Sequence, residues 1–471
     1  MALKMEEIFW HEKFSCVDND LIDEVIPQLI NEQTNTLLTI LPSPEEIRNS
    51  VFVLNKEVAP SPDGLGGFFL HHYWEILKSD VIKSGYFGCK RGVRQGDPLP
   101  PLLFCLAKDV LSRAIFNLVE QGKLDIIKGP KGSSFPYHAL YADDVMLFYK
   151  AKNSNIKNLK ALFLRYVECS GQYVNPHKSI IYAGSISPMR SSYLASSIGF
   201  SEGSLPFQYL GVPIFKGKPK VIHLHPIVDR IKEKLATWKA SLLSMAGRVQ
   251  IIKSIIHGIL TYNLLIYSWP ASPIKDPEKC MINFFWIGDS SKRKLITVAW
   301  HKVCTPQSEG GLGTRSLFKI HEAAKLKLCW ELLTSDRQWA NFLRLRVMRN
   351  KIPIKYHIFS SIWLGIKNQF QKIVDNSTWN LGQGNTINFW TDQWCGKPLV
   401  EQLQIQHHNQ PFSKVADFIL NGHWNFPPDL LLLFPSIPDI INKICIPLEP
   451  KEDELRWNHS SDGNLTLKDA Y

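Results

Sequence analysis

Apolar residues recur at helical spacing near the start of the chain, at Ile22, Val25, Ile26 and Leu29, and predict helical structure across residues 1–60. Pro42-Ser43-Pro44-Glu45-Glu46 reads as a helix start, with Ser43 as N-cap and Glu46 three positions on, ahead of Ile47, Val51 and Leu54. The run from Ala59 to Gly67, rich in proline and glycine, then breaks regular structure. Leu102, Leu103, Leu106, Val110 and Ile115 predict an apolar helix over 101–121. The pattern then changes to strand-forming residues on both sides of Tyr141-Ala142-Asp143-Asp144, which predicts a hairpin over 138–149. Ile156, Leu159, Phe163 and Tyr166 restore helical spacing, with a stop near Gly171.

The clearest helical stretch is 227–260. Ile227, Ile231, Leu235, Trp238 and Leu242 form one stripe, and Met245, Val249, Ile252, Ile256 and Ile259 another, with Gly247 placed to bend the second. Nine Lys or Arg and only two acids, Asp229 and Glu233, occupy 216–253. An apolar stripe that packs would leave a basic face outward, either as a phosphate-tracking surface or as an ordinary solvated one. Beyond about residue 280 tryptophans become frequent: Trp286, Trp300, Trp330, Trp339, Trp363, Trp379, Trp390, Trp394, Trp424 and Trp457. Such rings can stack on bases, but a tryptophan is more often core.

Composition sharpens this picture. The 471 residues suit two or three domains, and 45% hydrophobic content supports packed cores. A formal net charge of +11 favours a polyanionic partner, nucleic acid first. Nine cysteines without a C-x-x-C pair give neither a disulfide framework nor a zinc signature. No signal-peptide core and no membrane-length apolar run occur, so an intracellular protein, nuclear or cytoplasmic, is expected, with oligomeric state open.

Two motifs carry chemistry. The adjacent carboxylates Asp143 and Asp144 at a hairpin tip are placed to hold divalent metal, which needs fixed oxygen ligands. Upstream, with Gln95 48 residues before Asp143, Arg91-Gly92-Val93-Arg94-Gln95-Gly96-Asp97-Pro98-Leu99 combines glycines with Arg94, able to meet phosphate, and Gln95, able to donate to sugar or base.

Together these motifs resemble the reverse transcriptases of plant non-LTR (LINE-type) retrotransposons. Arg91 to Phe104 is similar to the family's template- and nucleotide-contacting block, with Pro100 where serine is usual, and Tyr141 to Asp144 to its catalytic turn. Ser170 to Ser179 resembles the next palm block, Tyr209-Leu210-Gly211-Val212-Pro213 the primer grip, and Trp238 to Tyr267 the thumb. Ala59 to Gly67 is similar to a fingers block, Trp379 to Trp394 to a segment downstream of plant retroelement polymerases, and Asp462 to Tyr471 to the opening of a zinc-binding region.

The resemblance implies an α+β fold: an incomplete polymerase right hand of palm, thumb and truncated fingers, followed by a mainly helical Trp-rich region. Its implied segments are a helical region and fingers remnant (1–84), an incomplete palm (85–215), thumb-like basic helices (216–280), the Trp-rich region (281–450) and the start of a truncated zinc-binding region (451–471). It implies catalytic roles for Asp143, Asp144 and Lys178, with Asp143 and Asp144 as Mg2+ ligands. Arg94, Gln95 and Gly96 would contact nucleotide and template, Tyr209, Leu210 and Gly211 the primer, and Lys232, Lys234, Lys239 and Arg248 nucleic acid. The implied partners are an RNA template and a DNA primer, with no membrane.

One block of the family is absent. Its first metal-binding aspartate precedes the Arg91 block, and no acid before Arg91 sits in such a context. The join falls within Asp80 to Gly85, as an internal deletion or a mis-spliced gene model, and Asp80 offers no strand to replace the loss. The expected consequences are a palm sheet short of one strand, with backbone left unpaired, and too few carboxylates for two cations. Three readings follow: a working RNA-directed DNA polymerase, a catalytically defective relative that binds nucleic acid, and a non-catalytic interaction protein built on the Trp-rich half. No endonuclease before residue 60 and no ribonuclease H after 400 is recognisable.

Overall fold

The computed structural model describes residues 2–5, 8–10, 20–27, 31–40, 42–53, 67–83, 99–130, 135–238, 243–289, 298–349, 352–405 and 413–471. They divide into two compact units, one of 1–127 with 135–204 and one of 128–134 with 205–471. Helices and strands are mixed in an α+β arrangement. Among the described residues no helix is long and apolar enough to cross a membrane.

The first unit is built on a five-stranded sheet. Its strands are β1 (Ala2–Met5), β3 (His138–Tyr141), β4 (Asp144–Phe148), β6 (Ile180–Tyr182) and β7 (Ser201–Gly203), in the order β3-β4-β1-β6-β7. A separate pair joins β2 (Ile8–Trp10) to β5 (Gln172–Val174). All contacts in the main sheet are antiparallel except β6 with β7.

Two expectations are corrected here. Residues 2–5 and 8–10 are strands, so residues 1–60 are not helical throughout; α1 (Leu21–Val25), α2 (Glu32–Thr39) and α3 (Pro44–Val53) supply the helices. The β4 arm of the carboxylate hairpin is also paired on its far side, where unpaired backbone was expected. β1 pairs with β4 from Ala2↔Phe148 to Met5↔Val145, and with β6 from Ala2↔Tyr182 to Lys4↔Ile180. An unpaired strand edge is costly and recruits whatever extended chain reaches it, a tertiary effect that local periodicity does not reveal.

Helices follow their sequence signals more closely. Ser43 and Glu46 form the reciprocal cap: Ser43 N–H donates to Glu46 Oε2 at 2.8 Å, and Glu46 N–H to Ser43 Oγ at 3.2 Å. Next come α4 (Gly67–His72), α5 (Trp74–Lys83) and α6 (Leu99–Glu120). Asp80 lies in α5, a helix and not a strand. In α6, Val110, Leu111, Ala114 and Ile115 are buried, whereas Leu102, Leu103 and Leu106 are exposed. The helix α7 (Asn153–Ser170) buries Ile156, Leu159, Phe163 and Tyr166, and Gly171 ends it at φ +67°, a conformation that favours glycine. Ser187 caps α8 (Pro188–Ile198). Val145, Met146 and Leu147 are all buried, so β4 is covered on both faces; each such side chain contributes about 1.5–3 kcal/mol.

The second unit opens with the hairpin β8 (Phe207–Tyr209) and β9 (Val212–Ile214), then α9 (Val221–Thr237) and α10 (Met245–Ile251). A π-helical turn (Ile252–Ile256), α11 (His257–Leu264) and α12 (Ala271–Ile287) follow. The irregularity lies in that turn and not at Gly247, whose N–H is capped by Ser244 Oγ at 3.2 Å. The wider turn accompanies complete burial of Ile252 and Ile256. Further along, Ser377–Asn380 pairs antiparallel with Glu454–Trp457. All ten tryptophans from Trp286 to Trp457 are buried or half-buried, so they serve the cores.

Candidate functional site

The carboxylate turn is a two-residue hairpin loop. Tyr141 pairs with Asp144 across the ladder, leaving Ala142 and Asp143 as the turn. Ala142 sits at φ +48°, a left-handed conformation that strains a residue with a Cβ. Tyr141 and Asp143 are exposed and Asp144 is half-buried. The tip is therefore accessible, while the strand behind it is fixed by the core.

Helix α6 packs behind this hairpin. Ser112 Oγ and His138 Nε2 are 2.9 Å apart, joining the helix to the base of β3. Burial lowers the His138 pKa below its ordinary value. One helical turn before Ser112 lies Lys108, only 7% exposed. Its Nζ is buried without a hydrogen-bond partner and lies 5.2 Å from the centre of the Phe104 ring. Burial lowers the Lys108 pKa to about 8, against the pull of Asp143 and Asp144, which favour its charged form. The sequence reading did not single out Lys108. The signal was a basic residue seven positions before Ile115, on the helix face that Leu111 and Ile115 bury.

Lys178 is exposed in the turn between β5 and β6. That turn is held by Asn175, whose Oδ1 accepts from His177 N–H at 3.0 Å and whose carbonyl accepts from Ser179 Oγ at 2.7 Å. The β5 strand is anchored by Tyr166, whose hydroxyl donates to Gln172 Oε1 at 2.6 Å. Arg94, Gln95 and Gly96 lie outside the described residues, as does Lys239.

In the second unit, Tyr209 pairs with Val212 across another two-residue turn. Leu210 at φ +49° and Gly211 at φ +76° give it the mirror-image geometry that matches strand twist. Lys232 and Lys234 are exposed on α9, while Ile227, Ile231 and Leu235 are buried. Lys232 Nζ is 3.4 Å from Asp229 Oδ1. Arg248 is half-buried and donates to the Phe285 carbonyl at 3.1 Å, which binds it to the end of α12.

A pair of magnesium ions is the group implied for the turn. The described residues do not fit it. None of them forms a group of three or more His, Cys, Asp or Glu able to hold a metal. Two adjacent carboxylates facing a buried ammonium present too little negative charge to clamp two divalent cations.

Comparison with known proteins completes the description. Residues 66–214 match the family model described as reverse transcriptase (RNA-dependent DNA polymerase). Over 277 residues the chain is 27% identical to an Arabidopsis thaliana protein provisionally named a ribonuclease H protein, covering 52% of this chain and 41% of the relative. It is 37% identical over 78 residues to an uncharacterised mitochondrial protein of the same plant, 17% of this chain and 64% of that one. It is 25% identical over 287 residues to the retrovirus-related Pol polyprotein of a type-2 retrotransposable element of Drosophila melanogaster, 58% of this chain and 26% of that polyprotein. The chain thus spans less than two thirds of each of these three relatives.

Proposed function

Since the chain carries a reverse transcriptase domain akin to those of non-LTR retrotransposons, we propose that it is a retroelement-derived polymerase relative with a defective catalytic site that still binds nucleic acid. In this reading the five-stranded sheet is the palm and α9 to α12 form the thumb. Asp143 and Asp144 are what remains of the metal site, and Lys178 is a further catalytic group of the palm. Arg94, Gln95 and Gly96 contact template and nucleotide, and Tyr209, Leu210 and Gly211 grip the primer. Lys232, Lys234, Lys239 and Arg248 face the nucleic acid, which is an RNA template with a DNA primer.

The observation that carries the defect is the charge arrangement at the turn: two carboxylates, one buried lysine, and no third acidic ligand among the described residues. Two-metal polymerisation needs both cations fixed against the attacking and leaving oxygens. Exposed Lys232 and Lys234 opposite a buried stripe support the binding role.

Primer extension on an RNA template with magnesium tests the first half, beside a relative that retains the full acidic set. No extension is expected. Extension that Asp143→Ala abolishes would overturn the defect. A mobility-shift titration tests the second half. Binding should weaken steeply with salt, and further when Lys232, Lys234 and Lys239 are reversed in charge. Affinity unchanged by that reversal would remove α9 as the surface.

A further inference from the structure

We infer that Lys108 is the built-in counter-ion of the Asp143–Asp144 turn, a tethered cation in place of bound metal, and that it keeps the turn's affinity for divalent cations low. The inference rests on the polymerase reading only for the turn's ancestry, because metal binding can be measured without any polymerase activity.

Position comes first. Lys108 and Ser112 are four residues apart on α6 and share one helix face. Ser112 meets His138 at the base of β3, so that face looks onto the carboxylate hairpin. Among the described residues, Asp143 and Asp144 are the charged groups that favour the charged form of Lys108. Aspartates at consecutive positions also repel each other, and a nearby cation relieves that repulsion.

Burial is the second point. A lysine only 7% exposed, whose ammonium lacks an acceptor, carries a heavy desolvation penalty. The Phe104 ring 5.2 Å away offsets part of it. The carboxylates supply the remaining compensation through space. A divalent cation on the same oxygens would remove that compensation and set like charges against each other. Lysine and metal therefore compete for one pair of carboxylates.

Manganese(II) is the probe, titrated into the full chain and followed by electron paramagnetic resonance. Lys108→Met keeps the length of the side chain and removes its charge. It should bind manganese at least about tenfold more tightly than the wild type, a modest figure for a unit charge removed near a divalent ion. Lys108→Arg, which keeps the charge, should stay at the wild-type level. Adding Asp143→Asn to Lys108→Met should abolish the gain. Lys108→Gln repeats the comparison with a second neutral side chain, and circular dichroism melts confirm folding. Equal affinity in wild type and both neutral variants overturns the inference, as does a gain that survives Asp143→Asn. Primer extension by the wild type would overturn the catalytic-defect reading and leave the manganese comparison standing on its own.

Discussion

The strand β1 is the most consequential feature to perturb, since it closes the sheet beside the carboxylate turn. Leu3 stands at its centre, paired with Leu147 on one side and Ile181 on the other. Leu3→Pro removes the N–H and puts a ring where a paired strand must pass. The buried acceptor left behind costs about 1–3 kcal/mol, and the ring's steric penalty brings the total to roughly 3–5 kcal/mol. At about 1.4 kcal/mol per tenfold, local opening of the sheet should become from about a hundredfold to several thousandfold more frequent. Hydrogen exchange read by mass spectrometry reports this directly. Peptides covering 144–148 and 180–182 should lose protection, while α12 in the other unit should exchange as before. Urea unfolding should show the first transition at lower denaturant. Unchanged exchange over 144–148 would refute the pairing of β1 with β4, and with it the account of a sheet closed from the N-terminal side.

Three further outcomes follow from single groups. Asp453 accepts four hydrogen bonds, from the N–H groups of Gly382 at 2.9 Å, Gly384 at 2.7 Å and Thr386 at 2.8 Å, and from Thr386 Oγ1 at 2.8 Å. Asp453→Asn should cost about 2–4 kcal/mol in urea unfolding followed by tryptophan fluorescence, and a loss under about 0.5 kcal/mol would discount the cluster. His321 is buried, accepts from Trp269 N–H at 2.9 Å, and is held at a pKa of about 4 by burial and then by Lys325. The unfolded chain binds that proton nearer pH 6.5, so stability should be full above 6.5 and fall by about 3 kcal/mol as pH drops towards 4. His321→Gln, which still offers an acceptor, should flatten that slope in melts across the range; an unchanged slope would exclude His321 as its source. Ala142→Gly relieves the left-handed strain at the carboxylate turn and should raise stability by about 0.5 kcal/mol, net of glycine's extra chain entropy. A lower midpoint for this variant in the same urea assay would count against the strained turn.

What could be read from the sequence was whatever depends on near neighbours. The hairpin at Tyr141–Asp144, the reciprocal cap of Ser43 and Glu46, the stop at Gly171 and the buried stripe Ile227-Ile231-Leu235 all arise within a few residues of chain. The strands β1 and β2 were invisible because four and three residues carry no period, and only a distant edge makes them strands. The π-helical turn at Ile252–Ile256 escaped notice because its positions also fit an ordinary helix. Lys108 escaped because its burial depends on what α6 packs against. The bond from Arg248 to the Phe285 carbonyl escaped because that acceptor lies 37 residues along the chain.

These two kinds of legibility explain how a fold and its chemistry can part company. A sheet asks only that each edge be paired, and the backbone of Ala2–Met5 pairs with β4 and β6 without any particular side chain. A metal centre asks for a named oxygen at a fixed place, and no amount of backbone pairing supplies one. A strand can therefore be replaced by another of unrelated sequence while the carboxylate it carried is lost. The sheet then remains a good platform for Asp143 and Asp144, and the field at their oxygens is set by what is left nearby. In this chain the buried Lys108 is one such neighbour. On the reading proposed above, restoring chemistry would take two changes together, a third carboxylate at the turn and removal of the Lys108 charge. Either change alone leaves the pair of aspartates short of what two cations need.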